Sequence, residues 1–165
     1  MTSIVLREPD FVRQRKLNSC WFACLQMLLK WHTGSSDIQD PDVKRLVSHF
    51  QGRSYDEIPH AFRTTHHVRV HTGNKFDDVD EIVRFLRAYG PFMGGGKVGK
   101  LFVGKRLFGH AILIYGVTST GHVLHHDPTL GPHCKMKGDS YLRLQDGERL
   151  FYVQSPRVDI VVEGS

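Results

Sequence analysis

Gly109-His110-Ala111-Ile112-Leu113-Ile114-Tyr115-Gly116-Val117 is followed by Thr118-Ser119-Thr120-Gly121 and then by His122-Val123-Leu124-His125-His126-Asp127. The run Ala111-Ile112-Leu113-Ile114-Tyr115 is too continuously apolar for a strand with one wet face. It predicts a central strand covered on both sides. Ser119-Thr120-Gly121 has turn chemistry, so residues 122–126 are expected to return as the neighbouring strand. Pairing through that turn would bring His110, at the start of the first strand, beside Asp127, at the end of the second.

Downstream, Asp146-Gly147 is a further hairpin signal, between Tyr141-Leu142-Arg143-Leu144 and Leu150-Phe151-Tyr152-Val153. Residues 158–162 are expected to close the sheet. Upstream the signals are helical. Asn18 and Ser19 can cap a helix over residues 20–32, where Trp21, Cys24, Leu25, Leu28 and Trp31 fall at helical spacing and Gly34 stops it. Asp40-Pro41 offers a cap and a first-turn proline for a short helix through Val43, Leu46, Val47 and Phe50. Asp77 is expected to cap a third helix with Val79, Ile82, Val83 and Leu86 on one face, ended by Gly90-Pro91. Helices first and an antiparallel sheet afterwards is an α+β layout. With no repeat, low-complexity tract or linker, residues 1–165 read as one domain.

Composition narrows the function. The 165 residues are 40% hydrophobic and 24% charged, as in an ordinary globular protein. No apolar run is long enough to cross a bilayer, and residues 1–10 hold Arg7, Glu8 and Asp10 instead of a signal core. The expected location is cytoplasmic, or outside the cell by export without a cleaved signal peptide, with no membrane partner. Three cysteines, two of them one helical turn apart, read as reduced thiols. A formal charge of +5 suits either a solvated basic surface or an acidic partner. No Lys/Arg run has interleaved aromatics, so nucleic acid is not an expected partner.

Four residues stand out for their chemistry. A thiol in the first turn of a helix, as Cys20 would be, lies in the positive end of the macrodipole, which favours the nucleophilic thiolate. Cys24, on the core stripe of the same helix, fits a structural role. Gln14 lies six residues before Cys20, close enough to share an oxyanion with the Cys20 backbone N–H. His110, fixed by the central strand, has the pKa range for proton transfer near neutrality. Asp127 can hold the imidazole tautomer and stabilise the imidazolium, although Asp before Pro128 is also a turn opener. Each residue alone has a bland reading; the order Gln, Cys, His, Asp on a helix and a hairpin is specific.

That order resembles the papain-like clan of cysteine peptidases. Cys20-Trp21-Phe22-Ala23-Cys24-Leu25-Gln26-Met27-Leu28-Leu29, the His110 strand and Asp127-Pro128-Thr129-Leu130-Gly131 look like the bacteriocin-processing, double-glycine leader peptidases. Cys20-Trp21 and Gly109-His110-Ala111-Ile112 look equally like papain-like effector or toxin proteases of bacteria. The resemblance implies a papain-like fold and a cysteine endopeptidase acting on a protein substrate, with glycines before the cut. Cys20, His110, Asp127 and Gln14 would be catalytic, and no cofactor is needed. Trp21, Gly109 and Phe108, with Phe92 and Phe102, are candidates to wall a narrow cleft. Leader peptidases are usually fused to a transporter domain and none follows here. The expectation is therefore a free-standing protease or toxin with a cognate immunity or inhibitor protein as partner. The same acyl-enzyme chemistry would serve a deamidase or transglutaminase, and a non-catalytic binding domain could keep the fold. Residues 54–71 match nothing assignable.

Two clusters suggest other chemistry. His122, His125, His126, His133 and Cys134 hint at zinc, but His122 and His126 share a strand face opposite His125, so they do not converge, and no metal is expected. Gly94-Gly95-Gly96 lacks the lysine and serine of a phosphate loop and reads as a flexible loop bordering the cleft.

Overall fold

The structure, a computed structural model, describes residues 2–15, 19–34, 70–97, 109–153 and 160–161. In chain order the elements are β1 (Ile4–Leu6), α1 (Cys20–Thr33), β2 (Val70–Gly73), α2 (Val79–Tyr89), β3 (Phe92–Lys97), β4 (Gly109–Val117), β5 (His122–Asp127), β6 (Gly131–Lys137), α3 (Gly138–Leu144), β7 (Gln145–Val153) and β8 (Ile160–Val161). The architecture is α+β, as expected, with helices packed on an antiparallel sheet. Strand order runs β2-β7-β3-β4-β1-β8, and β5 and β6 extend it from the other edge of β4.

β4 is the axis of the sheet. Its residues 111–117 are all buried, as the apolar run demands. One edge pairs with β3 over residues 109–114 and with β1 at Gly116 and Val117. The other pairs with β5 from Leu113 to Val117 across a bulge. Alternation then splits the core. Ala111 and Leu113 pack with Cys24, Leu25 and Leu28 of α1, whereas Ile112 and Ile114 pack with Ile82 and Leu86 of α2.

α1 starts and stops where its sequence says. Ser19 is the N-cap residue, and its carbonyl accepts the Ala23 N–H at 3.1 Å. Gly34 ends the helix in the left-handed conformation, φ 79°, its N–H donating to Lys30 O at 2.8 Å. α2 buries Val79, Ile82, Val83 and Leu86, the expected stripe, and Gly90 closes it. Its cap is Asp78, one residue later than expected. The Asp78 carboxylate accepts the Glu81 N–H at 2.7 Å, while the Glu81 carboxylate reaches back to the Asp77 N–H at 2.9 Å. Glu81, three residues after Asp78, thus makes a variant of the capping box, its return bond falling one residue before the cap.

Three other expectations are corrected. Gly94-Gly95-Gly96 is strand, not loop: it pairs with Ile112, Ala111 and His110 of β4. Glycine is needed there, because a Cβ on Gly94 would lie 2.5 Å from the Tyr141 hydroxyl and 3.0 Å from Ile114. Tyr141-Leu142-Arg143-Leu144 is helix α3, not strand. Four residues cannot distinguish the two periods, and burying Tyr141 beneath β3 decides the matter. Asp146-Gly147 therefore turns no hairpin and lies inside β7, where the partner of β3 jumps from Leu150 opposite Gly94 to Gln145 opposite Gly96. The helix expected after Asp40-Pro41 lies outside the described residues, as does most of 54–71, whose last two residues enter β2. Among the described residues no helix is long and apolar enough to cross a membrane.

Candidate active site

The site forms where the first turn of α1 meets the start of β4. Cys20 is buried at the helix N-terminus, and the Ala111 N–H donates to its Sγ at 3.5 Å. The His110 imidazole also interacts with this thiol. Burial pushes this thiol up, but the bonds from His110 and the Ala111 N–H outweigh it, and the pKa falls below the ordinary thiol value. Cys24, one turn on, has no such partners among the described residues. Burial, then the charges of Cys20 and Asp127, hold it well above the ordinary value.

His110 lies between the thiol and a carboxylate. Its Nε2 donates to Asp127 Oδ1 at 2.9 Å, leaving Nδ1 for the sulfur. Burial alone would depress the imidazole, but the bonds to Asp127 and Cys20, and their charges, raise its pKa to about 9. A lowered thiol and a raised imidazole in contact are the two halves of a thiolate–imidazolium pair.

Asp127 makes both sets of contacts that its sequence context allowed. Besides His110, its Oδ1 accepts the Thr129 N–H at 2.8 Å and the Leu130 N–H at 3.0 Å. Burial raises this carboxyl, and the bonds from His110, Leu130 and Thr129 more than offset it, keeping the group below the ordinary carboxylate value. The turn between β5 and β6 is thus an Asx turn whose side chain also faces the imidazole. Sequence reading missed the donors Ala111, Thr129 and Leu130, because backbone N–H groups carry no residue signature.

Gln14 is half-buried and its backbone N–H donates to Pro128 O at 3.1 Å, next to Asp127. The cleft candidates fare differently. Trp21 is 5% exposed and packs in the core against Phe22, and Phe92 is fully buried under α2. Side chains so covered offer a substrate no wall, and both are corrected to packing residues. Gly109 pairs with Lys97 at the end of β3, and Phe102 and Phe108 lie outside the described residues. The histidine cluster does not gather at one point, although His126 Nε2, at 3.5 Å, and His133 share Glu8 Oε1. His122 Nδ1 bonds the Thr120 hydroxyl at 3.0 Å, His126 Nε2 donates to Pro9 O at 2.7 Å, and His133 Nδ1 meets Glu8 Oε1 at 3.0 Å. Among the described residues no three metal-ligating groups converge.

A search of curated protein sequences finds no significant match. The fold is similar to the peptidase domain of Streptococcus ComA, a bifunctional ABC transporter involved in a quorum-sensing pathway. That match has a TM-score of 0.65 at 17% identity and covers 90% of this chain and 100% of that one. The family model described as papain-like cysteine protease AvrRpt2 matches residues 5–145, and the chain belongs to that family.

Proposed function

We propose that the protein is a cysteine endopeptidase in which Cys20 attacks a peptide carbonyl and His110 moves the proton. His110 first receives the thiol proton, forming the ion pair, and then delivers it to the leaving amine as the acyl-enzyme forms. Asp127 orients the ring and stabilises its charged form. The Cys20 N–H and the Gln14 amide hold the oxyanion of the tetrahedral intermediate. Water, activated by the now neutral His110, hydrolyses the thioester. What carries this reading is the unbroken line of contacts from Cys20 through His110 to Asp127, with the thiol pKa lowered and the imidazole raised.

The substrate is a protein, and glycines before the scissile bond are the finer part of the proposal, supported by the likeness of the cysteine, histidine and aspartate motifs to those of leader peptidases. An effector or toxin role on target-cell proteins, with a cognate inhibitor, is proposed on the same footing. The experiment is expression of wild type and Cys20→Ala in bacteria, with comparison of protein N-termini across the proteome. New N-termini that vanish in Cys20→Ala support the proposal. Intact targets deamidated by the wild type alone would replace the protease reading with deamidation. Replacing each glycine before an identified cut by alanine then tests the sieve: unchanged cleavage rejects it.

A further inference from the structure

Residues 9–14 form a strap between α1 and the turn after β5, and its contacts fall on His126, Pro128 and Thr129, on both sides of Asp127. His126 Nε2 donates to Pro9 O at 2.7 Å. Gln14 N–H donates to Pro128 O at 3.1 Å, and Arg13 Nη1 donates to Thr129 O at 3.1 Å. Asp127, in the middle of this stretch, holds His110. The middle of the strap is fixed to the helix that carries Cys20. Asp10 pairs with Lys30 at 2.7 Å, and Phe11 and Val12 pack against the α1 core.

His126 is built for this contact. Its ring is fully buried, set edge-on to Phe11 and tilted against Tyr115. Its Nδ1 accepts the His133 N–H at 3.4 Å, so the neutral ring with the proton on Nε2 satisfies both bonds. Arg13 also lies over the Phe11 ring, with 5.8 Å from guanidinium carbon to ring centroid.

We infer that residues 9–14 set the distance between the Gln14 amide and the His110–Asp127 pair, with Arg13 and His126 as positioning residues. One four-residue stretch thereby aligns both the imidazole and the oxyanion donor. This inference rests on the proposed oxyanion role of Gln14. The physical reason is tolerance: an oxyanion donor displaced by a fraction of an ångström loses most of its effect. A glutamine on an unsupported N-terminal segment would not hold that register.

The test compares two reactions of the same thiol. Acylation by an N-acyl-glycine p-nitrophenyl ester passes through an oxyanion; alkylation by iodoacetamide does not. Gln14→Ala is expected to slow acylation about 100-fold and leave alkylation unchanged. Arg13→Ala, at an exposed position, is expected to slow acylation about tenfold through kcat, with KM and alkylation unchanged. Arg13→Lys should recover part of the loss. In the Gln14→Ala background Arg13→Ala should add nothing, because the group it positions is gone. His126→Phe, which keeps the ring and removes the donor, should repeat the pattern, and His126→Gln should rescue it. Equal slowing of both reactions by Arg13→Ala, full additivity with Gln14→Ala, or no effect on acylation would overturn the inference. Unchanged acylation in Gln14→Ala would instead overturn the oxyanion assignment beneath it.

Discussion

Cys20 alone is an ordinary buried thiol; its contacts lower its pKa. The helix N-terminus was legible in the sequence, because Ser19 before an apolar helical stripe announces it. The Ala111 N–H that bonds the sulfur was not, because it belongs to a strand distant in sequence. Asp127 was legible as two competing readings, turn opener and triad acid, and the structure uses one oxygen for both. Two predictions follow from this sharing. Cys20→Ala and His110→Ala should each reduce cleavage to background with the circular dichroism spectrum unchanged, because nucleophile and base act as one unit. Asp127→Asn keeps a carbonyl oxygen for the turn, whereas Asp127→Ala removes both functions. Asn should therefore lose activity with little loss of stability, while Ala should lose both, by about 1–3 kcal/mol in urea unfolding. Stability should also depend on pH in a defined way. Protonated His110, raised from 6.5 to about 9 in the fold, stabilises the protein fully below 6.5, and that contribution disappears as pH rises through about 9. Asp127, lowered in the fold, stabilises above its ordinary 3.8 and loses that contribution as pH falls through its lowered value. In His110→Ala the decline in urea midpoint through pH 9 should flatten; an identical decline would assign it to other groups.

At the scale of elements, legibility tracked the length and density of the apolar pattern. β4 and β5 were readable because nine continuous residues and a Gly121 turn leave one arrangement. α2 was readable from its stripe, with its cap misplaced by one residue because adjacent Asp77 and Asp78 compete and only the Glu81 spacing decides. β3 was unreadable because three glycines have no side-chain pattern, and the strand is imposed by its neighbours. β1, three residues long between β4 and β8, is below the length at which periodicity exists, whereas β8 falls within residues 158–162, expected to close the sheet. Substitutions should reveal these differences. Asp78→Ala should cost about 1 kcal/mol of stability, and Asp77→Ala, whose side chain makes no cap, much less. Gly94→Ala should cost about 1–3 kcal/mol, because its methyl group meets the Tyr141 hydroxyl, and Tyr141→Phe should recover part of it. Thermal or urea unfolding of these variants checks both; equal losses from Asp77→Ala and Asp78→Ala would contradict the cap assignment.

Across the whole molecule, the site joins segments far apart in the chain. Gln14 and Cys20 come from the N-terminal strap and helix, His110 from the central strand, and Asp127 from the turn after its neighbour. Local sequence supplies each residue type, and the sheet supplies their distances. This is why the order of the candidate residues was readable in the sequence and the packing of the aromatic side chains was not. A nucleophile, base and acid carry chemical identity, but Trp21 and Phe92 reveal whether they line a cleft or fill a core only when the packing is known. The central claim is that this assembly creates a thiolate–imidazolium pair at Cys20 and His110. The measurement that tests it most directly is the pH dependence of iodoacetamide alkylation at each cysteine, read by peptide mapping in wild type and His110→Ala. The account predicts that Cys20 reacts well ahead of Cys24 and Cys134 at neutral pH, with its midpoint below the ordinary thiol value of 9.0, and that His110→Ala shifts that midpoint upward. Equal rates at the three cysteines, or a Cys20 profile unchanged by His110→Ala, would contradict it.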